Sequence, residues 1–131
     1  MIYLSDKTYC KFEAGIRFLL KVLHQMDIPT YESCGGHLKP LEKDSFPSVY
    51  INGSSSLFEP NKLLKLIESL IAWNQKRERR WQWFIEGRVL NDGKGPAQLF
   101  WLRPFEMNNN RSSIILSRLR QDVIDLAEFI K

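Results

Sequence analysis

The segment Glu32-Ser33-Cys34-Gly35-Gly36-His37 holds the residue types best suited to chemistry in this chain. Cys34 and His37 are three positions apart across a glycine pair, so a curled chain would bring the thiol and the imidazole together. A thiolate beside an imidazolium is an activated nucleophile. This pattern predicts Cys34 and His37 as candidate catalytic residues.

The same segment also has the features of a binding turn. Adjacent glycines allow positive φ angles and close backbone approach, and successive N–H groups in such a turn can form an anion-binding nest. The candidate ligand-binding residues are Ser33, Gly35, Gly36 and His37. The alternative is structural, because Gly-Gly makes a tight turn and cysteine is among the most buried residue types. The sequence leaves binding, catalysis and structure open.

A metal site is not predicted, because Cys34 and His37 supply only half of a zinc ligand set. If Cys10 and His24 both lie on the first helix, they are fourteen residues apart, roughly 21 Å along its axis, and cannot share an ion. We therefore expect no metal site and no cofactor. His24 is instead expected to complement the dipole at the end of the first helix.

A second candidate region is the basic and aromatic segment from Lys76 to Phe84. Its cations could bind phosphate and its aromatic rings could stack on bases. The candidate ligand-binding residues are Arg79, Arg80 and Arg88, and the surface extends to Arg103, Arg111, Arg118 and Arg120 if they share a face. The alternative is a core strand beside a solvated basic helix end. An exposed Phe84 among arginines would favour nucleic acid, whereas a covered Phe84 would indicate helices or another subunit there.

Composition favours one globular domain. The chain has 131 residues, of which 44% are hydrophobic and 12% aromatic, and its net charge is +4. This mildly basic balance weakly favours RNA or another anionic partner. No stretch is apolar enough to span a membrane, no secretory signal is visible, and two cysteines do not indicate a disulfide framework. We expect a cytoplasmic protein.

Hydrophobic periodicity predicts three amphipathic helices and four strands. The first helix begins at Ser5 or Asp6 and ends at Ile28, the second opens at Pro60, and the third follows Asn108-Asn109-Asn110. The strands are predicted at Thr30 to Cys34, Ser48 to Asn52, Arg80 to Leu90 and Ala97 to Arg103. The order α-β-β-α-β-β-α predicts an α+β fold of one domain, residues 1–131, with a mainly antiparallel sheet of about four strands and the helices on one face.

The same periodicity selects the side chains expected to be buried. The second helix is expected to bury Leu63, Leu64, Ile67, Leu70 and Ile71. The third is expected to bury Leu116, Leu119, Val123, Leu126, Ala127 and Ile130. In the last strand, Leu99 and Trp101 are expected to point inward.

The residues from Ile28 to His37, followed by Pro47-Ser48-Val49-Tyr50-Ile51, resemble a pattern of small uncharacterised bacterial and phage proteins. Those proteins carry a helix, a Ser-Cys-x-Gly-His turn and a strand that begins at proline. The turn is also distantly similar to the Ser-Cys-Ser-Gly-Arg turn of wybutosine-synthesising tRNA methyltransferases, with Gly35 and His37 replacing the second serine and the arginine. The resemblance covers about two dozen residues and implies an element that faces a ligand or RNA. No further S-adenosylmethionine-binding signature accompanies it.

Three functional hypotheses follow. The first is a non-enzymatic module that binds a nucleic acid or nucleotide-like anion through the Ser33 to His37 turn and an arginine-rich face. The second is an enzyme that uses Cys34 and His37, acting on RNA. The third is a structural or homo-oligomeric protein with the hairpin side chains Phe84, Phe100 and Leu102 as its outward contact surface.

Overall fold

A computed structural model of the protein describes residues 2, 4–38, 45–76, 81–90, 93, 95–105 and 112–131. The helices are α1 (Asp6–Tyr9), α2 (Arg17–Gln25), α3 (Pro60–Lys76) and α4 (Ser113–Ile130). The strands are β1 (Thr30–Gly35), β2 (Pro47–Asn52), β3 (Trp83–Val89) and β4 (Gln98–Pro104). They form one sheet in the order β1-β2-β4-β3, and every neighbouring pair is antiparallel. The predicted α+β fold is confirmed.

The sheet has two different faces, because successive side chains of a strand point to opposite sides. One face carries Val49, Ile51, Trp83 and Leu102, which are buried in the main core with the apolar side chains of α2, α3 and α4. This confirms the predicted placement of the helices on one face. The opposite face, called the open face below, carries the side chains of Ser48, Tyr50, Phe84, Glu86, Arg88, Leu99, Trp101 and Arg103.

Helix α4 was the most accurately predicted element. All six of its expected core residues are buried. Its cap is Ser112, whose side chain accepts a hydrogen bond from the Ile115 N–H. Asn108 to Asn110, the expected caps, lie outside the described residues. In the described parts of the chain, no helix combines the length and apolarity that crossing a membrane requires.

The expected first helix is two helices separated by a turn. Residues 10–16 leave the helical path after α1, and the N–H groups of Ile16 and Arg17 bond to the Glu13 carbonyl where α2 begins. Gly15 permits this turn to touch β1, since a Cβ at this position would lie 2.7 Å from the Gly35 carbonyl oxygen. The amphipathic periodicity continues through the turn, and for that reason it predicted one unbroken helix.

Two expected core faces were partly wrong. In α3, Leu64 and Ile71 are 54% and 51% exposed, while Leu66 and Trp73 are buried instead. This helix has apolar residues on more than one side, so its periodicity does not select a single face.

In β4 both sets of alternating side chains include buried residues. Leu99 and Trp101 are only 4% and 6% exposed, as expected, but they lie on the open face, and Leu102, with Phe100 beside it, is the residue that packs against the helices. The expected outward contact surface around Phe84, Phe100 and Leu102 is therefore wrong for Phe100 and Leu102.

Candidate functional site

The end of β1 is clamped by polar contacts from two distant parts of the chain. Glu13 Oε2 accepts the Gly35 N–H at 2.6 Å. On the other side, Arg120 of α4 donates from Nε to the Gly35 carbonyl at 3.0 Å and from Nη2 to the Gly36 carbonyl at 2.8 Å. These contacts fix the backbone that carries Cys34 and His37.

The second glycine of the turn is required by both conformation and packing. Gly36 has φ +83°, a region that L-residues rarely adopt. A Cβ on Gly36 would overlap Leu116 Cδ1 and lie 3.1 Å from the Phe46 carbonyl carbon. The turn therefore packs directly onto α4 and the start of β2.

Three side chains with metal-binding or catalytic capacity meet at this turn. His37 Nε2 lies 3.0 Å from Glu13 Oε1. One donor atom each of Glu13, Cys34 and His37 lies within 4.8 Å of the other two. We call these residues the Glu13–Cys34–His37 cluster. The side chains of His37 and Glu13 are 21% and 41% exposed, so small molecules and ions can reach the cluster.

The structure brings Cys34 and His37 together with a partner that the sequence did not indicate. Glu13 precedes Cys34 by twenty-one positions and falls within the expected first helix. The only available signal was Gly15, because a glycine inside a helical pattern weakens the helix. The turn at residues 10–16 is what places Glu13 against β1.

The glycine amides have partners inside the protein. The Gly35 N–H donates to Glu13, and the Gly36 N–H donates to Cys34 Sγ at 3.4 Å. Both expected donors of a backbone anion nest are thus engaged by side chains of this chain. Among the expected ligand-binding residues of the turn, His37 presents its side chain to the exposed edge of β1.

Ser33 points away from the cluster. It pairs with Val49, whose side chain lies in the core, whereas Cys34 pairs with Ser48 on the open face. Ser33 lines a cavity of about 500 Å³ on the helix side of β1, together with His24 and Thr30. The turn therefore does not bring the Ser33 hydroxyl to Cys34 and His37.

His24 is a buried structural residue. The Tyr9 hydroxyl accepts the Leu4 N–H and lies 2.6 Å from His24 Nδ1. His24 Nε2 lies 2.8 Å from Thr30 Oγ1, so each ring nitrogen has a hydrogen-bonding partner. Burial lowers the pKa of His24 from 6.5, because desolvation disfavours the charged imidazolium. Burial therefore favours the neutral form of His24, whose polar contacts are with Tyr9 and Thr30.

The open face carries a cluster of arginine and aromatic side chains. The Trp101 ring stacks on Tyr50 at 5.2 Å and 6°. The guanidinium carbons of Arg103 and Arg88 lie 4.2 Å and 4.4 Å from the Trp101 ring centre. Phe84 is half-buried beside Arg103, with Phe105 edge-on to its ring. We call Tyr50, Phe84, Arg88, Trp101 and Arg103 the arginine–aromatic face.

The other expected arginines do not extend this face. Arg79, Arg80 and Arg111 lie outside the described residues. Arg118 and Arg120 are on α4 and not on the sheet, and Leu119 between them packs with Phe46 and Trp101. Arg120 is moreover engaged with the carbonyls of the glycine turn. Within the described part of the chain, Arg88 and Arg103 are therefore the only two of the expected arginines that lie on the open face.

Cys34 of the cluster and the arginine–aromatic face lie on the same side of the sheet. Cys34 pairs with Ser48, and Phe84 pairs with Arg103. The pairing of Val49 with Leu102 places Arg103 beside Ser48, one step further along the same register. Because neighbouring strands are about 4.8 Å apart, the backbones at Cys34 and Arg103 are separated by about 10 Å.

Comparison of the chain with protein-family models, with curated proteins and with solved structures found no match.

Proposed function

We propose that the protein binds single-stranded nucleic acid, or a nucleotide-like anion, on its arginine–aromatic face. The observation that carries this proposal is the packing of two guanidinium groups, from Arg88 and Arg103, at 4.4 Å and 4.2 Å from the Trp101 ring. Guanidinium planes and aromatic rings on one sheet face are what a single strand uses for phosphate contacts and base stacking.

The two arginines supply charge in a favourable orientation. A guanidinium that lies over an aromatic ring can donate from its N–H edge to phosphate oxygens, and in this structure the Nε of Arg103 also donates to the Pro104 carbonyl at 3.3 Å. Arg88 is held further by Glu86, whose Oε2 lies 3.4 Å from its Nη2. Less side-chain entropy is lost on binding when the guanidinium is already held in place.

The half-buried rings of Tyr50 and Phe84 supply the stacking component. Trp101 is only 6% exposed and supports Tyr50 in a parallel stack, and Phe84 lies across from Arg103 in the neighbouring strand. The Trp101 indole N–H is buried without a hydrogen-bond acceptor in the described part of the protein. Such a donor carries a penalty of about 1–3 kcal/mol, which a polar ligand atom would relieve once an arginine shifts toward phosphate.

The experiment that tests this proposal is a titration of labelled single-stranded RNA and DNA by fluorescence anisotropy at graded salt. Arg103→Gln and Arg88→Gln each remove one cation from the face, and we expect affinity to fall about tenfold for each. The salt slope should fall by roughly 0.7 for each phosphate that a variant no longer neutralises. Arg103→Lys retains the charge but loses planar stacking, so its affinity should lie between those of the wild type and Arg103→Gln.

The matched control is Arg118→Gln, which removes the same charge from the exposed surface of α4. Its affinity should stay within about twofold of the wild type, because Arg118 is on α4 and not on the strands that carry Arg88 and Arg103. Equal losses of affinity in Arg118→Gln and Arg103→Gln would show that only net charge matters. That result, or no binding by the wild type at low salt, would refute the proposal.

A further inference from the structure

We infer that Glu13, Cys34 and His37 are the three protein ligands of a divalent metal ion of the zinc class. The inference goes beyond nucleic-acid binding and does not depend on it. It uses a cysteine, a histidine and a glutamate from two separate segments whose donor atoms all converge within 4.8 Å. Thiolate sulfur, imidazole nitrogen and carboxylate oxygen are the three ligand types that zinc takes in proteins.

The spacing of the donor atoms distinguishes a metal site from a cysteine–histidine catalytic relay. In such a relay the imidazole stands between the thiol and the carboxylate, with one ring nitrogen toward each. Two hydrogen bonds of about 3 Å and the width of the ring would then separate sulfur from carboxylate oxygen by about 7 Å. Here Cys34 Sγ and a Glu13 oxygen lie within 4.8 Å. The three groups converge on one point, as ligands do.

The distances also suit an ion. Around tetrahedral zinc, with bonds of about 2.0–2.3 Å, neighbouring ligand atoms lie roughly 3.3–3.6 Å apart. In the structure His37 Nε2 and Glu13 Oε1 are 3.0 Å apart, and the remaining separations do not exceed 4.8 Å. Side-chain adjustments of about 1 Å therefore bring the three donors onto one ion.

Contacts around the cluster orient the ligands before any ion arrives. Glu13 uses Oε2 to accept the Gly35 N–H, which leaves Oε1 directed at His37. The Gly36 N–H points at Cys34 Sγ, where it stabilises the negative charge of a thiolate ligand. Arg120 fixes the carbonyls of the same two glycines. Hydrogen bonds of this outer kind commonly change metal affinity by about 10–100-fold.

Three protein ligands leave a fourth position of a tetrahedral ion for water or a ligand atom. This is the pattern of catalytic and ligand-receiving zinc sites, whereas structural zinc sites use four protein ligands. The cluster is partly exposed at the edge strand β1, so the fourth position can face solvent.

The test is a cobalt(II) titration of the full chain after metal removal, followed by visible and near-ultraviolet absorption. We expect one equivalent to bind with thiolate-to-cobalt charge transfer and the strong visible bands of tetrahedral coordination. Cys34→Ala should abolish the charge-transfer band, and His37→Ala should weaken binding more than about tenfold. Glu13→Gln keeps an oxygen acceptor for the Gly35 N–H but loses the carboxylate charge, and it should also weaken binding.

The matched control is Cys10→Ala, which removes the second cysteine of the chain from an exposed position. This variant should bind cobalt as the wild type does. Loss of the charge-transfer band in Cys10→Ala, or its retention in Cys34→Ala, would overturn the assignment.

Thermal unfolding with and without zinc gives a second readout, since an ion that binds only the folded state raises the melting temperature. The wild type and Cys10→Ala should gain stability with zinc, and Cys34→Ala should not. Equal shifts in all three proteins would also overturn the inference, because they would place the ion elsewhere.

Discussion

Substitution of Gly36 by alanine is the most direct test of the clamped turn. An L-residue at φ +83° costs about 1–2 kcal/mol. The new methyl group also overlaps Leu116 and crowds the Phe46 backbone, and such overpacking typically costs about 1–3 kcal/mol. We expect Gly36→Ala to lower the free energy of unfolding by about 2–5 kcal/mol. This is a large share of the roughly 5–15 kcal/mol that stabilises a typical domain.

Gly93 provides a matched control for this substitution. It has φ +70°, but a Cβ there would meet no atom within 4 Å, so Gly93→Ala carries the conformational cost alone. Urea unfolding of both variants separates the conformational cost from the packing cost. The comparison requires that the slope of the free energy of unfolding against urea concentration is the same in both variants. The difference between them should be about 1–3 kcal/mol, which is the packing component. If the two variants unfold within about 0.5 kcal/mol of each other, Gly36 is not packed onto α4 as described.

Three further perturbations test other parts of the fold. Arg120→Met should lower stability by roughly 1–3 kcal/mol in urea unfolding, because two turn carbonyls lose charge-assisted hydrogen bonds, and an equal effect of Arg118→Met would contradict this. Below pH 6.5 the unfolded state protonates His24 before the folded state does, so stability should fall with acidification by at most about 1.4 kcal/mol per pH unit. His24→Gln should flatten this dependence below pH 6.5 in thermal unfolding, and an unchanged slope would contradict the burial of a neutral imidazole. Leu102→Ala, at a fully buried position of β4, should cost about 2–5 kcal/mol in urea, and a loss under 1 kcal/mol would be inconsistent with its burial.

Local patterns in the sequence predict those features that depend on local geometry. Spacings of three and four along α4 selected its buried residues, and alternation in β2 placed Val49 and Ile51 in the core. The faces of β4 could not be selected in this way. Both sets of alternate side chains in β4 are largely apolar, and guanidinium groups from Arg88 and Arg103 lie over Trp101 on the open face.

The candidate site likewise has a part that local sequence predicts and a part that depends on tertiary contacts. Cys34 and His37 are close in sequence, so a turn was sufficient to predict their proximity. Glu13 was not predictable, because its position depends on the break before α2 and on the packing of Gly15 against Gly35. The sequence pattern describes that stretch as a helix, and only tertiary contacts convert it into a turn.

The position of the cluster follows from a requirement of the sheet. β1 is an edge strand, and an edge presents unpaired backbone groups that must be satisfied or covered. Glu13 satisfies the Gly35 N–H at this edge, and Arg120 satisfies two carbonyls at its end. The same contacts that close the edge hold the thiol, imidazole and carboxylate together. The structural and chemical roles of the glycine turn are therefore compatible.

If both proposals hold, the two sites should influence each other through their charges. Binding of a divalent ion with release of the Cys34 thiol proton adds one net positive charge about 10 Å from Arg103. At the dielectric constant of water, one unit charge stabilises another of opposite sign at this distance by about 0.4 kcal/mol. Zinc should thus raise the affinity for a single strand roughly twofold at low salt, and the strand should raise zinc affinity by the same factor.

Anisotropy titrations with and without zinc measure this coupling, and Cys34→Ala serves as the control because it cannot form the complete ligand set. The twofold gain should disappear in that variant and shrink at high salt, where charges 10 Å apart are screened. Weaker nucleic-acid binding in the presence of zinc, seen only in the wild type, would contradict the shared orientation of the two sites. A gain of tenfold or more would exceed what charge at this distance provides, and would instead indicate that the strand occupies the fourth position of the ion.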